Sequence, residues 1–270
     1  MNAQNRHLQK ALTQGYDLDF GKVIEKSFEN FKKTWAFGGL AFIIMTLVIG
    51  ALALGGIFIV IGGAALSDML NIEALEQMEN FKMTDLNPIW LFGYMIGVTL
   101  LTALSNLFYA GILKMIDDAE HNKNVAIDSL FHYFRSNYFV QLLLSGFILG
   151  VLATFVLFLF EYINLSWLGS LFQYAISFFT VLTIPLIIFS NQSAIDAIQN
   201  SMRLVLKNPL VILGLLIVAF LLAMIGFIAI CIGIIFTMIF FLIVIYHIYI
   251  SAVPRDDSNE LDLIGTNDEE

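Results

Sequence analysis

The densest group of side chains able to do chemistry is Asp117-Asp118-Ala119-Glu120-His121. Paired carboxylates beside an imidazole could hold a divalent cation or move a proton. A metal would need further ligands from a second segment, and only Asp128, His132 and the acidic C-terminal residues offer them. The histidines His7, His121, His132 and His247 include no pair three or four residues apart. The histidine boxes of a membrane di-iron oxygenase and a His-based zinc site are therefore both missing. No Gly-x-Ser-x-Gly, phosphate loop or dinucleotide fingerprint occurs. The Asp117–His121 group reads as a solvated turn, and no catalytic residue, metal ligand or cofactor is expected.

Weaker polar candidates lie within long apolar runs, where ionisable groups are costly and mark function by default. Glu161 closes one such run and His247 lies near the end of the last. Both can reach an interface, and both read as interfacial anchors. Ser105, Asn106 and Tyr109 form a compact polar cluster inside a run. It would bridge to another helix by hydrogen bonds or, alternatively, touch a solute. Pro185 is a candidate kink. Cys231 is the single cysteine, so no intramolecular disulfide can form, and it reads as a small buried hydrophobe.

The elements that must position these residues are set by composition. Charged residues are 13 % of the chain, against about a quarter in soluble domains, and apolar residues are 59 %. No charge occurs between Lys33 and Asp68, Asp85 and Lys114, Arg135 and Glu161, or Asn208 and Pro254. A span needs about 20 apolar residues, so the last run must fold back near 226–233. The expected fold is all-α integral membrane, with six spans at 36–62, 89–113, 138–160, 168–190, 210–229 and 232–253. Residues 1–16 are expected to be flexible, 17–253 to form the membrane domain and 254–270 an acidic cytoplasmic tail.

Of the 13 Lys and Arg residues, all but Lys82 fall on one side of these spans. The positive-inside rule then places both termini in the cytoplasm and the Ser67–Pro88 loop outside. Residues 1–34 are polar and carry six bases, so no cleavable signal is expected. The net charge of −9 sits mostly in the tail and the outer loop, and no basic patch of useful size remains for nucleic acid.

Three junctions between amphipathic and apolar stretches share steps of four, three and four residues, the spacing of one helical face. They are Ile24, Phe28, Phe31 and Trp35; then Ile127, Phe131, Phe134 and Tyr138; then Ile198, Met202, Val205 and Pro209. Each predicts a cytoplasmic-side surface helix feeding a hairpin of spans, a threefold repeat. Their faces meet either the acyl boundary or the protein's own spans. A second register, pairing Ala126-Ile127-Asp128 with Ala194-Ile195-Asp196, is also open for the third copy. Small residues four apart, Gly93 with Gly97, Gly146 with Gly150 and Ala51 with Gly55, predict close helix packing within the chain.

Residues 16–33, opening Tyr16-Asp-Leu-Asp-Phe-Gly-Lys22, resemble the start of a broad bacterial family of six-span proteins. Asn124-Val-Ala-Ile-Asp-Ser-Leu-Phe-His-Tyr-Phe134 is similar to that family's middle surface helix, and Pro185–Arg203 to its third. The family comprises uncharacterised integral membrane proteins related to the membrane domain fused to some glycerophosphoryl diester phosphodiesterases. The resemblance covers the membrane portion, so it implies a six-span inner-membrane fold and carries no phosphodiesterase activity. The expected function is non-enzymatic, acting through the lipid environment or as a partner subunit of a membrane complex. The alternative is a transporter or channel for a lipophilic or small solute, with a membrane-embedded enzyme as a third class. Membrane lipids and a protein in a membrane complex are the expected partners, and the oligomeric state is left open.

Overall fold

The computed structural model describes residues 3–61, 88–228 and 233–254, and among these every regular element is helical. The acidic outer loop, Cys231, the fold-back around 229–232 and the acidic tail lie outside the described residues. The elements are α1 (Ala3–Gln14), α2 (Phe20–Ile61), α3 (Pro88–Glu120), a 3₁₀ segment (Ile127–Arg135) and α4 (Phe139–Tyr162). They continue with α5 (Ser166–Phe179), α6 (Thr183–Ser190), α7 (Ala194–Val205), α8 (Pro209–Ile228) and α9 (Gly233–Ala252).

Five stretches are helical, long and apolar enough to cross a membrane: Phe20–Gly56, Phe92–Glu120, Phe139–Tyr162, Ser166–Ser190 and Pro209–Gly226. A shorter apolar stretch is Thr237–Ala252. Large apolar side chains stand exposed along these helices, among them Leu47, Phe92, Phe155, Leu171 and Phe220. A water-soluble chain does not leave so much apolar surface uncovered, and the protein is a multi-pass membrane protein. The α2 helix packs on α3 and α9, α3 on α4, α4 on α5, and α8 on α9. A core of Leu107, Phe108, Leu142, Ile212, Ile239 and Ile243 lies between them.

Several expectations need correction. Within the segment expected to be flexible, Ala3–Gln14 is a helix with Leu8 and Ala11 buried. Leu8, Ala11 and Leu12 recur at three and four residues, enough apolar surface on one face to dock it. Gly15, at φ +81°, turns the chain out of α1 as only glycine does readily.

The first surface helix is not separate either. It is the polar end of α2, which runs unbroken for 42 residues. No proline interrupts it, and at Gly38, one of its six glycines, Ile239 of α9 packs against the backbone. Its buried face here is Val23, Ser27, Asn30 and Thr34, while Phe28 and Trp35 of the expected face are exposed and Ile24 and Phe31 half-buried. Both Phe28 and Phe31 lie against Phe240, with ring centroids 4.8 and 5.7 Å away.

The middle surface helix is 3₁₀ rather than α. Three residues per turn put Leu130 and Tyr133 together on the buried side, replacing the face drawn through Ile127, Phe131, Phe134 and Tyr138. Phe131 is exposed, and Ile127, Phe134 and Tyr138 are half-buried. In α7 the buried face is Ala194, Ala197, Ser201, Leu204 and Val205. Of the expected face only Val205 is buried; Ile198 is half-buried and Met202 exposed. The caps at Ala126 and Ser193 fall one residue from the second register.

The expected fourth span is two helices. The chain breaks at Thr180–Leu182, where Pro185 has no N–H to give the Val181 carbonyl one turn back. Ser201 of α7 fills the gap: its Oγ donates to the Phe179 carbonyl at 2.9 Å and accepts from the Leu182 N–H at 3.0 Å. The small-residue pairs also divide. A Cβ at Gly146 would strike the Ala103 backbone and one at Gly150 would meet Thr99, so α3 and α4 approach there. Gly55, Gly93 and Gly97 face open space.

Candidate functional site

Polar side chains gather where α1, the 3₁₀ segment and α7 pack against the ends of the long helices, termed here the basal end. The last turn of α3 supplies Asp117, Asp118 and Glu120, and His121 follows directly after it. The C-terminal part of α9 supplies Tyr246, His247 and Tyr249, and α2 supplies Asn30.

Asp117 and Asp118 are buried, not solvated. The hydroxyl of Tyr246, itself fully buried, donates to Asp117 Oδ1 at 2.8 Å. His121 Nδ1 lies 2.8 Å from the Asp117 carbonyl and 3.5 Å from Oδ1, one helical turn apart. Lys114 Nζ donates to both Asp118 oxygens at 3.1 Å, and Ser129 Oγ to Oδ2 at 3.4 Å. Asn30 Nδ2 donates to the Ile116 carbonyl and to Glu120 Oε2, each at 3.0 Å. Beside it, Lys33 Nζ reaches Asn122 Oδ1 at 2.9 Å.

His247, expected at an interface, is only 2 % exposed. Among the described residues its Nε2 has no hydrogen-bond partner, and it lies 3.8 Å from Glu120 Oε2, beyond hydrogen-bond reach. Two residues on, Tyr249 shares a 2.7 Å hydrogen bond with Ser190 of α6 and accepts one from Gln4 Nε2 of α1 at 3.4 Å. The arrangement thus clamps α1, α2, α3, α6 and α9 together at one level.

The remaining sequence candidates do not converge. Ser105 Oγ donates back to the Leu101 carbonyl of its own helix at 2.8 Å. Asn106 alone crosses, its Nδ2 donating to Ser145 Oγ at 3.2 Å and to the Leu142 carbonyl at 3.4 Å, and so ties α3 to α4. Tyr109 is half-buried against the core. Glu161 stands in the last turn of α4, far along the chain's fold from His247, near exposed Tyr162 and Trp167. Tyr246 and Tyr249 were missed because aromatic residues at three-residue spacing in an apolar run look like lipid-facing or core groups.

Outside the membrane belt, Tyr16 Oη donates to the Leu204 carbonyl at 3.2 Å, and Asn208 Nδ2 donates to the Tyr16 carbonyl at 2.9 Å. Burial pushes the Tyr16 phenol up to about 12, against a smaller lowering by Asn208. It stays a hydrogen-bond donor throughout the physiological range.

Among the described residues no three His, Cys, Asp or Glu side chains stand close enough to hold a metal ion. The basal cluster has a buried imidazole and two carboxyls, Asp117 and Asp118, that accept from the hydroxyls of Tyr246 and Ser129. Elemental analysis of purified protein is expected to find metal well below one ion per chain. Stoichiometric zinc or manganese that vanishes with Asp117→Asn would contradict this. Compared with known proteins, the chain matches no family model, no curated sequence and no solved structure.

Proposed function

We propose that the chain is a six-span, non-enzymatic protein of the bacterial inner membrane, acting through its lipid environment or as a partner subunit of a membrane complex. One observation carries the reading. Among the described residues the interior between the long helices is filled by apolar side chains, and at the basal end the buried Asp117 and the half-buried Glu120 bind helices to one another. A catalyst or ion carrier would want such groups free and near mid-membrane. The sixth span is α9, and the hairpins are α2–α3, α4 with α5–α6, and α8–α9, each with its basal segment before it. Kinship with the six-span family related to the phosphodiesterase membrane domain belongs to the same proposal, on residues 16–33, 124–134 and 185–203.

The transporter reading keeps one observation in its favour. The fourth span is broken at Thr180–Leu182, and the buried Thr183 Oγ1 beside the break has no hydrogen-bond partner among the described residues. Broken helices supply solute sites in many transporters. Purification in mild detergent, with identification of bound lipids and copurifying proteins, separates the two readings. Retained lipid or a stoichiometric partner supports the first. Solute flux into vesicles that disappears with Thr183→Val would replace it by the second.

The distribution of basic residues sets the orientation. Cysteines introduced at Lys10, Lys123 and Lys207, in a chain with Cys231 replaced by Ala, are expected to react only from the cytoplasmic side. Cysteines in the Ser67–Pro88 loop should react only from outside. Labelling of Lys123 and that loop from the same side would end the six-span proposal.

A further inference from the structure

The α7 helix has two faces of different use. Ala194, Ala197, Ser201, Leu204 and Val205 are buried against the protein. On the other side Ile195 is 55 % exposed, Met202 42 % and Leu206 59 %, followed by Leu210 at 81 % in the first turn of α8. Ile195, Met202 and Leu206 lie seven and four residues apart, on one side of α7 and its C-cap. After the turn at 206–208, exposed apolar residues resume in α8 with Leu210, Leu213, Ile217, Phe220 and Leu221, on an apolar helix long enough to cross a membrane.

Two basic residues flank the stripe. Arg203 is exposed and, among the described residues, has no carboxyl partner. Lys207 Nζ makes only a long 3.5 Å contact to the Thr13 carbonyl. Lys207 and Asn208 line an open cleft of about 490 Å³ together with Gln14, Tyr16 and Asp17. A monoanionic phosphodiester fits this pairing of a lysine with an aspartate: the phosphate meets Lys207, and headgroup hydroxyls can donate to Asp17. A free phosphate dianion would be repelled by Asp17.

We propose that α7 binds anionic phospholipid headgroups through Arg203 and Lys207, its apolar stripe lying in the acyl boundary. The proposal deepens the lipid reading of the function and rests on it. The opposite face of the same helix gives the contact a consequence. Ser201 holds both sides of the break in the fourth span, the Phe179 carbonyl and the Leu182 N–H. A headgroup that holds α7 in place therefore holds the break closed, and a leaflet poor in anionic lipid loosens both.

The test uses the full chain in nanodiscs of phosphatidylcholine alone or with phosphatidylglycerol, read by hydrogen exchange over residues 180–206. Phosphatidylglycerol is expected to slow exchange in α7 and across the break, by roughly fivefold for each basic residue engaged. In R203Q/K207Q that difference disappears, whereas R203K/K207R keeps it. In S201A it persists in α7 but is lost at 180–183. Equal exchange in both discs, or an undiminished difference in R203Q/K207Q, overturns the proposal. So does the same slowing by inorganic phosphate in phosphatidylcholine discs, or a second copy of the chain covering the stripe. Lipid that copurifies while R203Q/K207Q behaves as the native chain removes this site alone. Absence of any retained lipid or lipid dependence removes the broader reading as well.

Discussion

Replacing Gly111 by valine is expected to lower the melting temperature of the detergent-solubilised protein more than any other single glycine substitution in α3. Gly111 sits where the 3₁₀ segment crosses α3, and a Cβ there would fall onto the O, C and Cα atoms of Leu130. Those are backbone atoms, which cannot rotate aside as a flexible side chain could. Alanine already forces the segment away, at a cost of about 1–3 kcal/mol for overpacking, and valine adds two methyl groups to the same clash. The displaced segment carries Leu130 and Tyr133 out of the core, and Ser129 away from Asp118. Gly93→Val in the same helix is the control, because nothing lies within 4 Å of a Cβ there. It should stay within about 0.5 kcal/mol of the native chain. Equal melting of the two variants would mean that the 3₁₀ segment does not rest on Gly111.

That crossing shows what could and could not be read from sequence. The apolar runs were legible because lipid leaves the backbone no partner outside its own helix, so a long uncharged run is a helix. Boundaries were less so. Nothing between Phe20 and Trp35 marks a stop, and the surface helix drawn there is simply where α2 leaves the apolar layer. Ile127–Arg135 has an apolar pattern that fits either period, and the choice of 3₁₀ rests on a contact with Gly111 that no local signal encodes. Pro185 pointed to a disturbance in the fourth span. Its position at Thr180–Leu182 depends on Ser201, a residue the expected face of α7 passed over as polar.

The basal cluster was half legible. Asp117, Glu120 and His121 drew notice as a possible metal site, and a solvated turn was the expected outcome. The deciding partner is Tyr246, 129 residues away in sequence and hidden in a run of isoleucine, valine and phenylalanine. Amphipathic aromatic residues near the end of a span ordinarily point to the interface. Here Tyr246 turns inward to Asp117 of α3, and Tyr249 to Ser190 of α6 and Gln4 of α1.

The second large effect follows from that bond. Tyr246→Phe removes one hydroxyl from a fully buried ring and leaves Asp117 Oδ1 without the 2.8 Å donor. A hydrogen bond to a charged group contributes about 1.5–3 kcal/mol, and with only 12 % of the Asp117 side chain exposed, water replaces the lost donor poorly. Asp117→Leu strips the same bond from the other side. The two changes should therefore be strongly non-additive, the double variant costing little more than the worse single one. Asp118→Asn should matter less, because its Lys114 partner is an i, i+4 neighbour with 28 % of its side chain exposed, and such pairs contribute about 0.3–0.5 kcal/mol. Thermal unfolding at one fixed pH, in one detergent, measures all four variants. Additive losses for Tyr246→Phe and Asp117→Leu would show that the two side chains are stabilised separately. The basal cluster would then be two unrelated contacts rather than the clamp that fixes α9 against α3.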